Sequence, residues 1–96
     1  MKEKSLTIFN HFGTECQERK LAEEVYEFFK AYILFDAGIG CIENVIDEFC
    51  DVELVLNEFK EILSITDKEK QNGMEKKANR TLERIKNGYY EKEGSK

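Results

Sequence analysis

The sequence predicts an all-α protein in which two long helices form an antiparallel hairpin and a third helix follows. The chain has 96 residues and no proline, so no residue of that type interrupts a long helix. Apolar residues recur at helical spacing over 14–35 and again over 41–63. A break over 36–40, which contains two glycines, separates these stretches and marks a reversal of the chain.

A short helix is expected before the hairpin. Residues 1–4 are charged and should fray, and Ser5 is a suitable N-cap. Phe9 and Phe12 share one side of this helix, and Gly13 suits its end.

The first long helix is predicted over 14–35. Thr14 and Gln17 have the spacing of a capping box at its start. Its apolar side chains cover more than one face, and a seam of polar and small residues runs between them. The seam consists of Gln17, Lys20, Glu24, Glu27 and Ala31. A helix of this kind is expected to pack against more than one neighbour.

The second long helix is predicted over 41–63, with Glu48, Asp51 and Val55 on the seam that faces the first. Both helices are apolar on several sides, and a lone hairpin cannot bury all of that surface. We therefore predict a four-helix-bundle core completed by dimerisation, with the third helices packed outside.

The third helix follows a polar connector over 64–73. Asn72-Gly73 is a turn dipeptide, so the start is predicted near Met74 rather than at Thr66.

Asn87-Gly88 is the predicted stop of this helix. One domain is expected over 1–90, followed by a disordered tail over 91–96.

Composition excludes several classes of function. The net charge of −5 argues against nucleic acid as a partner. No apolar run is long enough to span a membrane, and no signal peptide is evident, so we expect a cytoplasmic protein. The three cysteines have no C-x-x-C spacing and are expected to be free thiols, with no spacing that supports a zinc site with His11.

Two pairs of acids stand out on the seam. Glu24 and Glu27, and likewise Glu48 and Asp51, are three residues apart and so share a helix face. The pairs lie at similar distances from Gly38, so an antiparallel hairpin places them opposite each other. Four inward carboxylates repel one another unless a cation joins them, and oxygen ligands suit Mg²⁺ or Mn²⁺. Solvated helix faces are the alternative.

This acid pattern resembles that of the MazG-like all-α nucleoside triphosphate pyrophosphohydrolases. The matching motifs are E-E-x-x-E at 23–27 and E-x-x-D at 48–51. The segment 11–13 and Gln17 also resemble the lead-in to that family's first long helix. The resemblance extends over roughly residues 6–60, and a looser similarity continues in the basic helix near Lys76 and Arg80.

The resemblance implies a Mg²⁺-dependent, homo-oligomeric enzyme. Water would attack the α-phosphorus of a (deoxy)nucleoside triphosphate, giving the monophosphate and pyrophosphate. The four acids would be the metal ligands, and Glu24 and Glu27 are also the candidate catalytic residues. Phosphoribosyl-ATP pyrophosphohydrolases share the acid pattern and form an alternative of the same class.

Five residues are candidates for contacting the substrate. Lys20 is placed either to bind a phosphate or to balance the acids, and Gln17 either to bind substrate or to complete the capping box. By the resemblance, Lys76 and Arg80 contact phosphates, a role that the arginine fork suits. A solvated basic face is the alternative for these two. His11 is a candidate for hydrogen bonding to a base.

A rival function of a different class is a non-catalytic acidic helical dimer, acting as an adaptor or inhibitor that binds a partner protein. A catalyst requires the acids to converge, whereas an adaptor requires only apolar faces. Convergence of the acids is therefore the feature that separates the two.

Overall fold

The computed structural model describes residues 1–88, and 85% of them are helical. This part of the chain forms α1 (Lys2–Phe12), α2 (Thr14–Asp36), α3 (Ile42–Ile62) and α4 (Asp67–Lys86), without strands. The all-α prediction is confirmed. None of these four helices is long and apolar enough to cross a membrane.

The chain divides into two units. The first, Met1–Ser64, contains α1, α2 and α3, and the second begins at Ile65 and contains α4. The single domain expected over 1–90 stays a prediction, and the tail expected over 91–96 lies outside the described residues.

α1 begins earlier than predicted, at Lys2. Ser5 lies inside the helix and is buried, and its Oγ accepts a hydrogen bond from Asn57 Nδ2 at 2.8 Å. The N-cap prediction for Ser5 is therefore wrong, because its hydroxyl is used across the α1–α3 contact. Phe9 packs edge-on against Phe59 in the same contact, with ring centroids 5.2 Å apart.

Gly13 joins α1 to α2 and is the N-cap of α2, with φ at 89°. No side chain caps α2, so the capping box predicted from Thr14 and Gln17 is wrong. Thr14 is already the first helical residue. A capping box is found instead at Thr66, where the hydroxyl accepts from the Glu69 amide at 3.0 Å and the carboxylate accepts from the Thr66 amide at 2.9 Å.

This capping box starts α4 at Asp67 rather than near Met74. The predicted start is wrong because the dipeptide Asn72-Gly73 lies within continuous helix. One glycine lowers helix stability by about 1 kcal/mol, which a good cap and the flanking helix formers offset. The predicted stop is correct, since α4 ends at Lys86.

α2 ends in a Schellman motif at the predicted break. The amide of Gly38 donates to the Phe35 carbonyl, and that of Ile39 to the Leu34 carbonyl, both at 3.0 Å. Gly38 has φ at 82°, a conformation that favours glycine. At Gly40 a Cβ would lie 3.0 Å from the Phe35 amide nitrogen. The turn therefore selects glycine at both positions.

α2 and α3 pack antiparallel, as two contacts between them show. Gln17 near the start of α2 bonds to Glu58 near the end of α3. Further along α2, Phe28 lies against Phe49, with ring centroids 5.9 Å apart. The polar seam of α2 therefore faces α3. Buried apolar residues of the described chain are Phe9, Ala31 and Val55.

Candidate metal centre

Three carboxylates converge between α2 and α3. Glu24, Glu48 and Asp51 each offer one oxygen, and these oxygens all lie within 4.8 Å of one another. Glu24 is only 7% exposed, Glu48 is half-buried and Asp51 is exposed. The cluster is therefore anchored in the protein on the Glu24 side and open to solvent on the Asp51 side.

Glu27, the fourth predicted ligand, is not one of these three. It lies one turn beyond Glu24 on α2 and is half-buried. Its negative charge nevertheless acts on Glu48 and helps to raise the pKa of that residue. Its role as a ligand stays a prediction.

The surroundings of Glu48 raise the pKa of its carboxyl group. Partial burial raises the pKa of its carboxyl above the ordinary value, and the charges of Asp51, Glu24, Glu27 and Asp47 raise it further. A divalent cation would relieve the same crowding. Carboxylate oxygens are hard ligands of the type that Mg²⁺ and Mn²⁺ take, so the donor set fits either ion.

Lys20 pairs with the buried member of the cluster. Its Nζ lies 2.9 Å from Glu24 Oε2. The hydrogen bond to Glu24 and the charge of Glu24 raise the pKa of Lys20, with smaller contributions from Glu23 and Asp51. Lys20 therefore balances the charge of Glu24. Its contact with a phosphate stays a prediction.

Gln17 is buried and forms a hydrogen bond to a residue that the sequence analysis missed. Its Nε2 donates to Glu58 Oε1 at 2.7 Å, and the two residues are 3% and 1% exposed. The sequence could have predicted that Glu58 faces α2, because it lies on the same face of α3 as three residues of the seam. These residues are Glu48, Asp51 and Val55, which precede it at helical spacing. A substrate contact by Gln17 stays a prediction.

A cavity of about 420 Å³ lies along this seam. Its polar lining includes Gln17, Lys20, Glu24, Asp51 and Glu58, and its apolar lining includes Ile8 and Phe12. The volume is within the range of about 300–1,000 Å³ that small-molecule sites occupy. One cavity therefore joins two of the clustered carboxylates to the Gln17–Glu58 pair.

The other candidate substrate contacts lie elsewhere in the chain. Lys76 and Arg80 are exposed on α4, one helical turn apart in the second unit. His11 is exposed near the end of α1, and its ring meets that of Phe12 edge-on with centroids 4.6 Å apart. Their substrate contacts stay predictions.

No family model, curated protein or solved structure matches this chain. Any assignment of family and function therefore rests on the residues and geometry described above.

Proposed function

We propose that this protein is a MazG-like, Mg²⁺-dependent pyrophosphohydrolase of (deoxy)nucleoside triphosphates. The supporting observation is the convergence of Glu24, Glu48 and Asp51 beside a cavity of suitable size. A cluster of carboxylates balanced by Lys20 repels a free triphosphate, but it attracts the complex of a triphosphate with a divalent cation. This charge pattern favours a metal–nucleotide substrate.

The proposal gives each side chain of the cluster a role. Bound Mg²⁺ would supply a more acidic water and offset negative charge on the phosphate oxygens. Glu24, Glu48 and Asp51 would hold the ion through their carboxylate oxygens. Glu24 and Glu27 are the candidate catalytic residues by the resemblance, and a carboxylate beside the ion would accept a proton from the attacking water. Lys20 would exchange its bond to Glu24 for one to a phosphate.

A second copy of the chain completes the proposed four-helix core. Several large apolar side chains of α2 and α3 are exposed in the single chain, including Tyr26, Phe29, Ile46, Phe49 and Leu56. Exposed apolar surface of this kind marks an interaction site. Since the hairpin buries few apolar residues of its own, a matching hairpin is the partner that we propose.

We expect the protein to sediment as two chains of 11.3 kDa each, or as a pair of such dimers. Phe29→Glu should shift the equilibrium towards single chains, because it places a charge in the apolar interface. Lys30→Glu, at a neighbouring exposed polar position, should not. Sedimentation equilibrium measures both, and a monomeric wild-type protein at every concentration would contradict the proposal.

The same exposed apolar residues favour the second candidate function, a non-catalytic adaptor or inhibitor that binds a partner protein. A panel of ribo- and deoxynucleoside triphosphates and phosphoribosyl-ATP separates the two. We expect pyrophosphate release from at least one of them with Mg²⁺ or Mn²⁺, and none with EDTA. No release from any member of the panel would favour the adaptor. The cytoplasmic location and the exclusion of nucleic-acid and membrane partners stay predictions.

A further inference from the structure

Glu58 is a buried carboxylate that lines the cavity beside the acidic cluster. It is 1% exposed, and within the described residues its hydrogen bond is the one from Gln17 Nε2 at 2.7 Å. A carboxylate offers about four acceptor sites, so one amide N–H leaves most of them unused. Buried charge is costly unless it is paired or fully hydrogen-bonded. Glu58 therefore retains acceptor capacity for a further hydrogen-bond donor.

The position of Glu58 in the cavity indicates what would complete its hydrogen bonding. Gln17 and Glu24 are separated by two turns of α2, and Asp51 and Glu58 by two turns of α3, or about 10 Å along each axis. All four residues line the same cavity, together with the apolar ring of Phe12. A nucleotide with its phosphates at the acidic cluster is long enough for its base to reach the Gln17–Glu58 pair, about 10 Å away along the helix axes.

We propose that Glu58 selects the base of the substrate and favours guanine nucleotides, an inference that rests on the proposed pyrophosphohydrolase function. A carboxylate accepts hydrogen bonds and donates none. Guanine presents a ring N–H and an adjacent amino group, which match the two carboxylate oxygens. Thymine and uracil present one N–H between two carbonyl oxygens, and these carbonyls are repelled by a carboxylate.

The remaining bases fit less well for the same reason. Adenine and cytosine present an amino group beside an unprotonated ring nitrogen, so each offers one donor and one acceptor. Glu58 can pair with the amino group but opposes the lone pair of the ring nitrogen. The amide of Gln17 keeps the carboxylate in place, since its N–H is already donated to Oε1. The pair therefore discriminates by its acceptor pattern.

Glu58→Gln tests the inference, because the amide preserves size and can still accept from Gln17. It replaces one acceptor oxygen by a donor, which removes an acceptor for the amino group of guanine and adds a donor for a carbonyl oxygen of thymine. We expect wild-type kcat/KM to favour dGTP over TTP by roughly 10-fold to 100-fold. In the variant the ratio should fall at least about 10-fold, through loss for dGTP and gain for TTP. Glu61→Gln, which removes a half-buried carboxylate paired with Lys60, should leave the ratio unchanged.

The outcomes separate this inference from the proposed function. Turnover without a preference for dGTP, or an equal loss for both nucleotides in Glu58→Gln, would overturn base selection and leave the pyrophosphohydrolase standing. If no nucleotide is hydrolysed, calorimetric titration of wild-type protein with dGMP and TMP decides. Tighter binding of dGMP supports the role of Glu58, whereas equal or absent binding overturns it. Both wild-type measurements remain decisive if the variant does not fold.

Discussion

Glu48→Gln should reduce Mg²⁺-dependent pyrophosphate release by about 100-fold or more. A bound metal stabilises the transition state by several kcal/mol, and each factor of ten in rate corresponds to about 1.4 kcal/mol. The Glu48 oxygen lies within 4.8 Å of the ligand oxygens of Glu24 and Asp51. The amide has nearly the same shape as the carboxylate, but it lacks the charge and replaces one oxygen by a donor. The expected loss therefore reports on charge and ligation rather than on packing. Steady-state kcat/KM at saturating Mg²⁺ measures it.

Two other acids on α3 provide matched controls. Glu43 and Glu53 are exposed on the same helix and do not belong to the three-carboxylate cluster. Glu43→Gln and Glu53→Gln remove one negative charge each and should leave kcat/KM within about twofold, because charge effects at exposed sites are screened. Full activity of Glu48→Gln beside active controls would remove the metal hypothesis.

Glu27→Gln tests the predicted ligand that does not belong to the three-carboxylate cluster. If Glu27 is a ligand when the metal is bound, its variant should lose activity to a similar extent as Glu48→Gln. If Glu27 acts only through its charge on Glu48, the loss should be closer to that of the control variants. The comparison of the three variants therefore decides whether Glu27 is a ligand.

The convergence of three acids was accessible from sequence because helix geometry is regular. Spacings of three residues place Glu48 and Asp51 on one face, and the glycines near Gly38 fix where the chain reverses. These two facts suffice to place α3 acids at the height of Glu24. They do not determine side-chain rotamers, which decide whether the carboxylate of Glu27 joins the group.

The missed features have a common physical cause. Ser5 and Glu58 are polar residues that tertiary contacts bury, and each forms a hydrogen bond to another helix. Local patterns assign a serine near a helix start to a cap and a glutamate on a charged helix to the surface. At Asn72-Gly73 the local pattern predicted a turn, but the residues lie inside α4. A capping box at Thr66 and the flanking helix formers extend the helix across this dipeptide.

Mg²⁺ should raise the melting temperature of the wild-type protein, because the cluster exists only in the folded state. At a concentration about 100 times the dissociation constant, binding adds about 2.7 kcal/mol, which corresponds to roughly 10 °C or more for a domain of this size. Glu48→Gln should abolish most of this increase, and Glu53→Gln should retain it. Circular dichroism melts with Mg²⁺ and with EDTA measure the difference. No effect of millimolar Mg²⁺ on the wild-type protein would count against the site.

Without Mg²⁺, the stability of the protein should depend on pH because of the raised pKa of Glu48. The pKa of Glu48 in the folded state is above its ordinary value of about 4.5, so the folded state binds this proton more tightly than the unfolded chain does. Stability should therefore decrease as the pH rises from about 4.5 through the raised pKa. Glu48→Gln removes this loss, so in EDTA the variant should melt higher than the wild-type protein at neutral pH and gain no such advantage at pH 4. In Mg²⁺ the order at neutral pH should reverse, because the ion stabilises the charges that repel one another in its absence.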